Sequence, residues 1–139
     1  ASGEYSFAMG GGSQASGDYA FAMGGGAQAT GNYGVAMGIS TTAQGGASFA
    51  QGGGSLASGQ YGIAMGVSAQ ATATNAIAMG RNVQSQGFTS IAMGNLAQAG
   101  GYASIAMGEG VSATGSGALA LGSNLRATAD HAFVLGCGM

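Results

Sequence analysis

An all-β parallel roll is the fold class this sequence predicts, and three observations predict it. Glycine recurs at every fourteenth residue, at Gly10, Gly24, Gly38, Gly52, Gly66, Gly80, Gly94, Gly108, Gly122 and Gly136, with no insertion or deletion. A fixed period over the whole chain marks a repeat architecture in which each unit buries its face against the next. Within each repeat two short segments alternate with period two, as strands do, and glycine closes each one, as turns require. In most repeats glycine also interrupts the chain too often for an apolar spacing of three or four to persist over several helical turns.

Composition agrees with this class and excludes others. The 139 residues are the length of one domain. Glycine supplies 31 of them, but proline is absent and glycine does not fall at every third residue, so collagen is excluded. Apolar residues make up 46 % and are placed periodically, which separates the chain from disordered sequence. Apolar runs reach only about five residues, so direct membrane insertion by this segment is not expected. Arg81 and Arg126 are the only strong cations, so a phosphate-neutralising nucleic-acid surface is not expected either. The opening Ala1-Ser2-Gly3-Glu4 lacks the basic and apolar regions of a signal peptide, and the chain starts in mid-repeat, as a mature product or an excised segment would.

The elements follow in order from one repeat. Gly25 to Gly38 are numbered here as positions one to fourteen. The first strand is Ala27-Gln28-Ala29-Thr30, closed by Gly31, and the second is Val35-Ala36-Met37, closed by Gly38. Glycine adopts positive φ without steric cost, so it can turn the corners. Stacking makes each position a ladder. Position eleven holds Phe, Val, Ile or Leu from Phe7 to Phe133, and position thirteen holds Met or Leu everywhere except Gln51. These large side chains share a strand face and are expected inside, opposite the small residues of positions three and five. Gln51 then implies a wetter core or a distorted fourth coil. About ten coils at about 4.8 Å each make a rod of roughly 48 Å.

The outward positions follow from the same alternation. Position four is mostly Gln and position six mostly Ser or Thr, which suits water. Position twelve is expected to face outward too, and it is Ala8, Ala22, Ala36, Ala50, Ala64, Ala78, Ala92, Ala106, Ala120 and Val134. A full-length outer stripe of small apolar residues predicts an oligomer interface.

No residues assemble into a catalytic pattern, and no cofactor is implied. His131 is the only histidine and stands where other repeats place Tyr or Asn, which gives it a solvated or capping role. Glu4, Asp18, Glu109 and Asp130 are scattered, without metal-ligand spacing. The Gly-Gly-Gly runs at 10–12, 24–26 and 52–54 lack a following Gly-Lys-Ser/Thr, so they are corners and not phosphate loops. The methionine ladder could hold a soft metal, but core packing is the favoured reading. Tyr5, Tyr19, Tyr33 and Tyr61 at position nine, with Phe88 and Tyr102 at position eight, form an aromatic edge. Stacking that stabilises the roll is its first reading, and a protein- or glycan-binding surface its second. Cys137 has no intrachain partner and reads as a free thiol or a segment boundary.

Two repeats carry a family resemblance. Ala99 to Gly108 reads Ala-Gly-Gly-Tyr-Ala-Ser-Ile-Ala-Met-Gly, and Ala113 to Gly122 reads Ala-Thr-Gly-Ser-Gly-Ala-Leu-Ala-Leu-Gly. The pattern resembles the head repeat of the YadA-like trimeric autotransporter adhesins and recurs in phase over essentially the whole chain. Tyr followed by a small residue replaces the family's Asn-Ser in several repeats, and Met replaces its usual Ile or Leu. The resemblance implies a left-handed parallel β-roll assembled as a homotrimer. It also implies an extracellular place on the bacterial outer-membrane surface, a part in virulence, and a host matrix protein or glycan as partner. The expected division is a repetitive head over 1–136 and a short tail over 137–139. A receptor-binding or spacer segment of a bacteriophage tail fibre, carried on the virion, is the alternative. Ice binding is a weaker one, because Thr30, Thr72, Thr74, Thr114 and Thr128 form no regular array.

Overall fold

The computed structural model describes residues 1–138, and every regular element in it is a β-strand. The strands form two parallel sheets. One has ten strands, running in sequence order from Phe7–Met9 to Phe133–Cys137. The other has nine, from Gln14–Ala15 to Arg126–Ala127. Each residue pairs with its equivalent one repeat later: Ile77 with Ile91, Ala78 with Ala92, Met79 with Met93. The fourteen-residue period is therefore the stacking period, and the ladders read from the sequence exist. The last strand runs through Cys137, and Gly138 N–H donates to Ser123 O at 2.7 Å, so the ladder continues past Gly136. Met139 lies outside the described residues.

The corners explain the invariant glycine. At position fourteen φ is positive in every coil, and +133° at Gly80. A Cβ there would lie 1.9 Å from Gly94 O of the next coil, so both the dihedral angle and the close stacking demand glycine. The other sharp corner, position nine, is left-handed whatever residue occupies it: φ is 56° at Tyr19, 52° at Ala47 and 58° at His131. Its N–H donates to the position-eight carbonyl one coil earlier, as from Tyr33 N to Asp18 O at 2.8 Å, so the corners are laddered like the strands.

The interior reverses the expected faces of the second strand. Ala22, Ala36, Ala50, Ala64, Ala78, Ala92, Ala106 and Ala120 are fully buried inside the single chain. Ala8 and Val134, in the terminal coils, are half-buried. These residues pack against the small position-three and position-five residues and against buried position-ten residues such as Ala76 and Ser104. They are core, so the expected alanine interface is corrected. The large residues of positions eleven and thirteen stand on the outer face instead. The physical reason is room. A fourteen-residue coil leaves little space between its two layers, and the largest fully buried side chains are Val83 and Val111. Gln51 is exposed on the outer face, in register with Met37 and Met65, so it marks neither a wet core nor a distorted coil.

Candidate functional site

Two surfaces stand out. The first is the outer face of the ten-stranded sheet. The second strand of each coil turns its alanine inward, and alternation then turns positions eleven and thirteen outward. In the middle coils Ile63, Met65, Ile77, Met79, Ile91 and Met93 are all half-buried, each covered partly by its neighbours one coil above and below. In the terminal coils exposure rises, to 52 % at Met9 and 67 % at Leu135. No charged side chain occupies these two ladders in any coil. Phe7 and Phe21 stack within the face, with ring centroids 5.2 Å apart. An uncharged apolar stripe of this length is far larger than the scattered apolar residues of an ordinary surface.

The second surface is the aromatic edge. Tyr5, Tyr19 and Tyr33 form one continuous stack, with centroids 5.1 Å apart at each step and planes inclined by 22° and 5°. The stacking follows from the left-handed corner, which presents every position-nine side chain in the same direction one coil apart. Ala47 ends the stack, so Tyr61 stands apart from it. Phe88 and Tyr102 make a separate pair at 5.6 Å. The six aromatics therefore divide into a triplet, a pair and a single ring, and all are exposed. Asp18 and Asn32 brace the triplet, because Glu4 N–H donates to Asp18 Oδ1 at 3.0 Å and Asp18 N–H to Asn32 Oδ1 at 3.1 Å.

Neither surface gathers its titratable groups into a cluster. Among the described residues no three His, Cys, Asp or Glu side chains gather where they could share a metal ion. His131 sits exposed at a position-nine corner, and Cys137 is an exposed free thiol at the end of the last strand. A shallow cavity of 190 Å³ beside the first coil is lined by Ala1, Ser2, Ser13, Gln14, Ala15 and Ser16, with no side-chain acid or base. Among the described residues no helix is long and apolar enough to cross a membrane. The opposite sheet presents amides to water, where Gln98 Nε2 donates to Gln84 Oε1 at 3.3 Å.

The apolar stripe is the feature that sequence reasoning misplaced. A signal for it was present: position thirteen tolerates Gln51, whereas position twelve never holds a residue larger than valine. Comparison with known families gives a match that covers more than half of the chain. The pattern described as the YadA head domain repeat (2 copies) matches residues 1–27, 15–40, 57–82 and 85–110. No individual curated protein matches the chain significantly.

Proposed function

The chain belongs to the YadA head domain repeat family, a family of structural adhesin heads on exposed surfaces, and we propose that it is the rigid adhesive rod of such a protein. Three parallel copies pack their ten-stranded faces together about a common axis, and the roll winds left-handed, as in the family. The outward surfaces then hold a host matrix protein or glycan on a bacterial surface. Repetition multiplies weak contacts into avidity, and no reacting group is needed.

The observation that carries this reading is the unpartnered apolar stripe of positions eleven and thirteen. It offers on the order of 1,000 Å² per copy, against about 800 Å² per partner in a standard stable interface. Burying it removes this apolar surface from water, at roughly 25 cal/mol per Å². The aromatic triplet lies on a corner between the sheets, so it supports a ligand surface separate from the packing face.

Adjacent substitutions test the packing. Ile77→Glu with Met79→Glu places carboxylates on the stripe, where water reaches them in a single chain but not between copies. Sedimentation equilibrium should show lower mass with the β-sheet circular dichroism retained. Ala78→Glu, one residue away but facing inward, should abolish the fold, because a lone carboxylate cannot stay charged in that interior. An unchanged mass for the double variant would remove the stripe as the interface.

A further inference from the structure

We propose that Gln51 decides which copies associate through the ten-stranded face and at what height they align, by meeting Gln51 of the neighbouring copies. This inference rests on the self-association proposed above. Across all ten coils Gln51 is the one polar side chain on positions eleven and thirteen. Its coil is otherwise regular: Phe49, Ala50 and Gln51 pair in register with Val35, Ala36 and Met37 on one side and with Ile63, Ala64 and Met65 on the other. The Gln51 carbonyl accepts from Ser55 Oγ at 3.0 Å, which anchors the backbone, while the side chain is exposed on the stripe.

The occupant of this face is another copy of the same chain. The stripe is uncharged, and its pitch is that of the roll, so a second copy matches it coil by coil. That same regularity leaves height poorly specified. A slip of one coil moves Met93 onto the level of Met107, and Ile77 onto that of Ile91, with little change of shape. Gln51 breaks the degeneracy. An amide is donor and acceptor at once, so identical amides at one height satisfy each other. After a slip each amide lies against methionine, desolvated and without a partner. A single buried amide sets register in helical assemblies by the same physics.

The test moves the amide by one coil. A chain carrying Gln51→Met together with Met65→Gln keeps the composition and alters only outward positions, so it folds as the original does, which circular dichroism checks. The original and shifted chains, with tags of different mass, are unfolded together, refolded and counted by native mass spectrometry. Two tagged forms of the original chain supply the statistical standard. Mixed assemblies of original and shifted chains should fall to about one tenth of that standard or less, since unpaired buried amides oppose alignment and a slip uncovers a coil. Statistical mixing would overturn the role of Gln51 while leaving the packing face intact. Monomers throughout would overturn the self-association and this inference with it.

Discussion

Replacing Gly80 with alanine should be among the costliest single-methyl changes in the chain, together with the equivalent corner glycines such as Gly66 and Gly108. Gly80 has φ of +133°, a region open almost only to glycine, and forcing alanine into it costs about 1–3 kcal/mol. The added Cβ would also stand 1.9 Å from Gly94 O and 3.0 Å from Gly94 N. Ordinary contact begins well beyond that oxygen distance, so the coils must part by a sizeable share of their ~4.8 Å spacing. Ile77–Arg81 and Ile91–Asn95 pair along five residues, and parting them weakens several ladder hydrogen bonds worth about 1 kcal/mol each. The total, roughly 3–6 kcal/mol, is comparable to the stability of many whole domains. Because coils contact only their neighbours, the break should also divide the rod into two less cooperative halves. Urea titration followed by far-ultraviolet circular dichroism measures the loss, with Gly25→Ala as control. At Gly25 the added methyl meets nothing within 4 Å, so that variant should lie within about 1 kcal/mol of the original or be slightly more stable. Equal midpoints for the two variants would refute the claim that stacking distance and backbone angle together require the corner glycine.

Two further outcomes follow from single groups. Thr41 Oγ1 is buried without a hydrogen-bond partner, while Val83 and Val111 fill the same position in other coils, so Thr41→Val should raise stability by about 1 kcal/mol. A lower melting temperature for this variant would show that the hydroxyl is in fact satisfied. Tyr19 stacks on both Tyr5 and Tyr33, so Tyr19→Ala should reduce binding on a glycan and matrix-protein array at least about tenfold while Tyr61→Ala, outside the stack, has a smaller effect. Equal losses would mean that the triplet does not act as one platform.

Much of the fold was legible because the repeat is strict. The recurrence of Gly80 and its equivalents locates one corner, and the alternation through Ile77, Ala78 and Met79 separates two faces. The aromatic edge was legible too, since Tyr5, Tyr19 and Tyr33 share a position beside a turn. Alternation does not say which face is inner. The usual association of large apolar residues with the inside places Ile77 and Met79 in the core and Ala78 outside, the reverse of what the structure has. The break in the aromatic ladder at Ala47 was visible in the sequence, but the separation into triplet, pair and single ring follows from ring positions in space.

The sequence by itself determined that the chain is a stack of fourteen-residue parallel coils, because glycine at one unvarying interval leaves no other way to pair the strands between. Tertiary structure alone decided the direction of each strand's side chains. Two layers joined by such short corners lie too close to hold Met or Phe between them, so alanine fills the inside and the larger apolar residues stand outward. That reversal turns an alanine stripe into the core, and a presumed core into the surface through which copies of this chain are proposed to meet.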